Sequence, residues 1–329
     1  MTQSIESHLR ETHSVKSLAD VGLGEIRRPP YLFDDFLLRR TLIMVSAEPF
    51  TGKTMLTLSM ALCLDAGRPL FGKIKPIEKR KVLYIGQDAA TWDYAEQTRK
   101  LLVGLGLADG TVEALDTEAI FNQGLDILDS KFYDFLSLWR DEIGLDVLIL
   151  DTLASMHSAD ENSNREMGFV MQVLKRCRDR LGLTVIFTHH DGKPSMAERS
   201  AVYRPRGASI ISGSVDAHIS LQSSGGGVEL TLPKGRGLTA KKPFHYDMLD
   251  VPPPSGAPSP GVKLQLRDET PELLSAKILS AIQQSDLPVP NKVLTSLFNV
   301  AGDELYNILR SLERVGAIRR SGRGAWEAT

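Results

Sequence analysis

The sequence has little cysteine, almost no net charge and no long apolar run, and each shortage removes a class of protein. Its two cysteines, Cys63 and Cys177, stand far apart inside helical patterns, so buried thiols are expected rather than a disulfide or a metal site. A formal net charge of −2 offers no global attraction for polyanions, so any nucleic-acid surface has to be local. No apolar run approaches the roughly 20 residues of a membrane span. The opening MTQSIESHLRETHS also lacks the basic-then-apolar layout of a secretion signal. The expectation is a cytoplasmic protein without membrane association. No internal repeat is present.

What is there is an ordinary globular composition, 42% hydrophobic and 24% charged over 329 residues, long enough for one large and one small domain. Residues 1–30 are polar and end in Arg27-Arg28-Pro29-Pro30, which disfavours helix and reads as an N-terminal arm. From residue 40 to 221, short β-rich runs (TLIMVSA, KVLYIG, LDVLILD, LTVIFTH) alternate with helical patterns. That alternation predicts an α/β domain over 31–250 with a mostly parallel central sheet covered on both faces. Residues 210–222 and 227–237 read as a final pair of strands. The Pro/Gly-rich VPPPSGAPSPG then opens a linker, 251–268, which is taken as the domain boundary. In the remaining 269–329, three helical patterns precede two short strands in AIRRSGRGAWEA, with Leu305, Ile308, Leu309, Leu312 and Val315 on one helical face. This is the pattern of a winged helix.

The chemistry-bearing segment is Ala47-Glu48-Pro49-Phe50-Thr51-Gly52-Lys53-Thr54, which follows an apolar strand and opens a helix at Met55. Backbone N–H groups at such a turn cradle phosphates, Lys53 can bridge the outer phosphates of a nucleoside triphosphate, and Thr54 can hold Mg²⁺. The first position should be glycine, so Ala47 fits only with a negative φ. Asp151 ends the most apolar strand, VLILD, where a second acidic group completes the Mg²⁺ shell. ATP with Mg²⁺ is the expected cofactor.

Three stretches, LDVLILDTLASMHSADENSN, VIFTHHDGK and RGASIISGSVDA, together with KGR at 234–236, resemble the RepA-like hexameric replicative helicases, a branch of the RecA and DnaB superfamily with AAA-like ATPase domains. The resemblance implies a RecA-like P-loop core and a homo-oligomer, a hexamer, acting on DNA. It implies that His189 and His190 end a core strand at a γ-phosphate sensor, with a structural histidine as the alternative. Lys234 and Arg236 would reach the nucleotide of the neighbouring subunit; read without the resemblance, they form a basic turn.

One departure bears on catalysis. After LYIG such ATPases carry Glu then Asp, the Glu positioning the attacking water, and this chain has Gln87 then Asp88. Gln can orient water but accepts no proton. Asp88 can substitute only if the turn begins at Gln87, since a continuing strand would point it to the opposite side. With Ala47, this predicts slow hydrolysis, and a gain of turnover in Gln87→Glu.

For DNA, the loop after the His189 strand carries Lys193, Arg199, Arg204 and Arg206 around Tyr203, suited to tracking a single strand. In the C-terminal unit Lys292, Arg319, Arg320 and Arg323 could meet duplex DNA, or the unit could dock protein. The leading reading is a DNA motor or helicase; the rival is a nucleotide-switched DNA-binding or loader protein.

Overall fold

The computed structural model describes residues 29–108, 115–192, 208–224, 227–238, 243–253, 260–267, 271–285, 287–298, 300, 302–322 and 324–329. The chain divides into a unit of residues 1–30, of which only Pro29 and Pro30 are described, and a unit of residues 31–329. The arm expected at the N-terminus therefore lies outside the described residues.

A hairpin of β1 (Tyr31–Phe33) and β2 (Leu37–Leu38) leads into β3 (Leu42–Ala47), α1 (Lys53–Ala66), β4 (Val82–Gly86), α2 (Thr91–Gly104) and β5 (Glu118–Phe121). Then follow α3 (Ser130–Ile143), β6 (Val147–Asp151), a 3₁₀ turn (Leu153–Met156), α4 (Asn164–Leu181), β7 (Thr184–His190) and α5 (Ser209–Ser214). Four further strands close the domain: β8 (Ala217–Ser224), β9 (Gly227–Gly235), β10 (Phe244–Val251) and β11 (Gly261–Leu266). They form one nine-stranded sheet in the order β11-β10-β9-β8-β3-β7-β6-β4-β5. The strands from β8 to β5 in that order run parallel, and β9, β10 and β11 are antiparallel. This is a mostly parallel α/β sheet of the RecA-like P-loop kind.

Helices cover both faces, which is why β3, β4 and β6 are buried at every position rather than alternately. One core gathers α1, α2 and β8–β11; the other gathers α3 and α4. The helix ends follow local rules. Asp129 and Ser163 cap α3 and α4 through their side chains, and Gly67, Gly144 and Gly182 end α1, α3 and α4 in the left-handed conformation. Both cysteines are buried thiols, one on α1 and one on α4, and burial pushes each up to about 12.

Two expectations need correction. Residues 209–214 are helical, so the strand expected from 210 begins only at Ala217. The segment read as a linker is instead the connection between β10 and β11, paired from Tyr246↔Leu266 to Val251↔Gly261. Leu264 is 4% exposed, a burial worth about 2 kcal/mol. A Cβ on Gly104 would overlap the Val262 carbonyl, so α2 lies directly against β11. The Pro/Gly composition marked a loop within the sheet, and regular structure of the next unit begins at 271.

That unit comprises α6 (Pro271–Gln283), β12 (Val289–Pro290), α7 (Asn291–Phe298), α8 (Gly302–Arg314), β13 (Ile318–Arg320) and β14 (Ala325–Ala328). Its sheet is antiparallel in the order β12-β14-β13. Ile278, Leu294, Leu309 and Trp326 anchor a separate core. Val315 lies past the end of α8 and is 73% exposed, so the helical face expected to include it ends at Leu312.

Candidate functional site

The site forms where β3, β4, β6 and β7 end. Parallel strands direct their carboxyl ends to one edge, and β3 lies between β7 and β8, which are consecutive in the chain; ligands of open α/β sheets bind at such switch points. Ala47 is the last, fully buried residue of β3 and keeps the strand conformation, which meets the condition set by the missing glycine. The left-handed positions of the loop are Phe50 (φ 63°) and Gly52 (φ 96°). Glu48, Pro49 and Phe50 face solvent, Thr51 is buried with its hydroxyl on the Glu48 carbonyl (3.0 Å), and Met55 packs on the core beneath α1.

Helix α1 has no side-chain N-cap and no acidic residue in its first turn. The N–H groups at its start are therefore left for an anion, and the positive end of the helix favours one. Lys53 donates to the carbonyls of Ala47 and Glu48, each at 3.1 Å. Burial lowers its pKa, opposed by the negative charges of Asp151, Asp191 and Asp88. A buried ammonium ringed by three carboxylates beside an uncapped helix start fits a triphosphate with its cation.

Asp151 is 1% exposed and accepts from Thr54 Oγ1 (2.8 Å), Tyr84 Oη (2.8 Å) and Thr188 Oγ1. Burial first, then the Asp151 charge, pushes the Tyr84 phenol well above its usual range, so Tyr84 is a fixed donor. Thr54 and Asp151 thus meet as the Mg²⁺ expectation requires. No cage of three or more His, Cys, Asp or Glu occurs among the described residues, and Mg²⁺ beside phosphates needs only one or two carboxylates.

Gln87 and Asp88 separate at the end of β4. The strand stops at Gly86, so the turn begins at Gln87, which is the condition for Asp88 to face the site. The Gln87 backbone N–H donates to Asp151 O (2.9 Å). Its side-chain amide donates to Leu125 O (2.9 Å) and Ser155 O (2.8 Å) and accepts from Leu125 N (2.7 Å). Gln87 is thus engaged by backbone and is not oriented toward Lys53. Asp88 lies 3.7 Å from His190 Nε2, and that contact, opposed by burial and aided by the Lys53 charge, holds its carboxyl below the ordinary range. Tyr94 fixes the turn: its hydroxyl donates to Asp151 O (3.0 Å) and accepts from Asp88 N (3.2 Å). Gly86 is required there, because a Cβ would come within 2.6 Å of the Tyr94 ring.

His189, 1% exposed, is turned into the protein, 3.9 Å from Glu161, and is in register with Ser46. Ser46 meets buried His218 at 2.9 Å. Lys234 and Arg236 are not brought to Lys53. Gly235 pairs with Ala217, and Ala217 with Ile43, which puts them at the opposite end of the strands. Lys234 donates to Ser212 O (2.8 Å) and Gly213 O (3.0 Å), while Arg236 reaches Asp216 at 3.4 Å.

Of the DNA candidates, Lys193, Arg199, Tyr203, Arg204, Arg206 and Arg323 lie outside the described residues. Lys292 is exposed on α7; Arg319 pairs with Glu327 (2.7 Å) and Arg320 with Glu313 (3.3 Å). The sequence reading missed Asp191, whose N–H donates to Ala47 O (3.0 Å) beside Lys53, and it missed Tyr84, Tyr94 and Thr188. Asp191 directly follows the His pair that ends β7, and that position was its only signal. No helix among the described residues is long and apolar enough to cross a membrane.

The chain matches no curated protein. The sequence model of the AAA domain matches residues 8–196, more than half the chain, and spans the loop, α1, Asp88, Asp151 and His190. The loop geometry and this match agree, and the chain belongs to the AAA domain family of nucleotide-binding P-loop ATPases.

Proposed function

We propose that the chain is an ATP-hydrolysing DNA motor of the RepA-like kind, working as a homo-oligomeric ring, a hexamer, on single-stranded DNA. The observation that carries the hydrolytic part is the convergence of Lys53, Thr54, Asp151 and Asp88 where four parallel strands end. In this reading Lys53 and the N–H groups of α1 hold the triphosphate. Thr54, and Asp151 through water, hold Mg²⁺, which supplies charge neutralisation at the phosphates. Asp88, steadied by His190, orients the attacking water and takes its proton.

Position supports a ring. Lys234 and Arg236 sit away from their own chain's Lys53, so they could serve a nucleotide only across a subunit boundary. The order α6-β12-α7-α8-β13-β14 supports reading the C-terminal unit as a winged helix. Lys292, Arg319, Arg320 and Arg323 would be its duplex contacts; the pairing of Arg319 and Arg320 with glutamates favours protein docking as the second reading for this unit. A cytoplasmic working compartment is part of this reading.

The test is ATP turnover and strand separation with and without single-stranded DNA, comparing wild type with Lys53→Ala. Turnover stimulated by DNA, with unwinding lost in Lys53→Ala, is expected. ATP-dependent retention of DNA without unwinding would replace the motor with a nucleotide-switched loader.

A further inference from the structure

Helix α4 has its buried face in the core through Met167, Val170, Met171, Leu174, Cys177 and Leu181. The opposite face presents Arg165, Phe169, Gln172, Arg176 and Arg180, all exposed, at spacings of four, three, four and four residues. These spacings bring them into one stripe, about 22 Å long at 1.5 Å per residue. Phe169 is 52% exposed although a helix this amphipathic had every opportunity to bury it.

The stripe borders a cavity of about 650 Å³ lined by Tyr133, Gln172, Lys175, Arg176, Asp179 and Arg180. Two of its cations are held in place. The Arg176 guanidinium lies 4.0 Å over the Tyr133 ring, and Lys175 donates to Ser214 Oγ at 3.0 Å. Asp179, the one carboxylate lining the groove, is engaged by Nε and Nη2 of Arg178 (2.7 and 2.9 Å), so the groove stays cationic in a chain of net charge −2.

We infer that this outward face of α4 is a binding surface for single-stranded nucleic acid, with Arg165, Lys175, Arg176 and Arg180 on phosphates and Phe169 under a base. A cationic groove with an interleaved, solvent-facing aromatic matches both halves of that ligand. A peptide of acidic residues alone would use the cations and give Phe169 no partner. The surface is separate from the Lys53 site, although it shares single-stranded DNA as partner with the proposed function.

The experiment measures binding of labelled oligodeoxythymidylate, about 20 nucleotides to exceed the ~4–16 covered by one module, by the full chain across a salt series. Arg176→Glu/Arg180→Glu should weaken binding at least tenfold at low salt and flatten the salt slope by about 1.4, roughly 0.7 for each cation lost. Phe169→Ala should weaken binding to the oligonucleotide and leave binding to inorganic polyphosphate unchanged. Fluorescent-ATP binding and melting temperature report whether the variants are folded.

Wild-type oligonucleotide binding that is unchanged in folded variants overturns the surface alone. No oligonucleotide binding by wild type overturns it together with the DNA part of the motor reading, whereas ATP turnover would stand. Competition by polyglutamate as effective as by the oligonucleotide, with no effect of Phe169→Ala, overturns it in favour of an acidic protein partner.

Discussion

Replacing Gln87 by Glu reverses the sense of the sequence-based expectation. The Gln87 amide gives two N–H bonds, to Leu125 O and Ser155 O, and accepts one from Leu125 N. Glutamate keeps the acceptor and loses both donors. Two part-buried carbonyls are left without that partner and face a carboxylate instead of an amide. Losing two neutral hydrogen bonds and adding this repulsion costs about 2–4 kcal/mol in total, partial exposure being already discounted. For a domain of this size that lowers the melting temperature by roughly 6–12 °C. The pH dependence has a definite sign. A carboxyl facing carbonyls has its folded-state pKa raised above the unfolded value, so the deficit is full above the folded pKa and shrinks as pH falls through it, when protonated Glu regains a donor. Thermal melts of both proteins at neutral and mildly acid pH, with ATP turnover per folded molecule, are the assay. Turnover should not rise, because in the proposed mechanism Asp88, beside His190 and Lys53, orients the water. A wild-type melt with a tenfold gain in turnover, a barrier change of about 1.4 kcal/mol, would refute the reasoning and return the water to residue 87.

Gly104→Ala should cost about 3 kcal/mol or more, read by denaturant unfolding, because its methyl would displace the β11 backbone; a neutral result would free β11 from the domain. His218 is lowered to about 4, chiefly by burial, so it is stored neutral. Its contribution of about 3 kcal/mol is therefore present above the unfolded pKa of about 6.5 and lost as pH falls toward 4. His218→Asn should flatten the acid limb of the stability curve between those values, and an unchanged limb would show that another group controls it. Phe50→Gly should stabilise by about 1 kcal/mol, since Phe50 buries nothing at φ 63°; a lower melting temperature would mean the exposed ring has a partner in solution.

The sheet and the phosphate loop were legible because their signals are local. A continuous apolar run has to be buried on both faces, and a Gly-Lys-Thr after such a run has to open a helix. Asp151 was readable for the same reason, standing at the end of VLILD. The role of Gln87 was not readable, because its partners Leu125 and Ser155 lie 38 and 68 residues away. The side to which Asp88 turns depended on where β4 stops, and Tyr94 and Gly86 settle that through a contact with no sequence pattern. VPPPSGAPSPG misled because composition identifies a loop and says nothing of whether its two ends pair with each other. The stripe on α4 has a clear helical period, yet its cations at 175–180 (KRCRDR) read as the solvated end of an ordinary amphipathic helix, and only the exposed Phe169 and the ring of Tyr133 set it apart.

In the proposed mechanism Asp88, and not Gln87, serves the hydrolytic step beside Lys53. The most direct test is steady-state ATP turnover of Asp88→Asn against wild type, with fluorescent-nucleotide affinity measured on the same samples. A loss of at least about a hundredfold in turnover, in the range that general-base catalysis supplies, with affinity held, is the predicted result. Turnover at the wild-type rate in Asp88→Asn would contradict it.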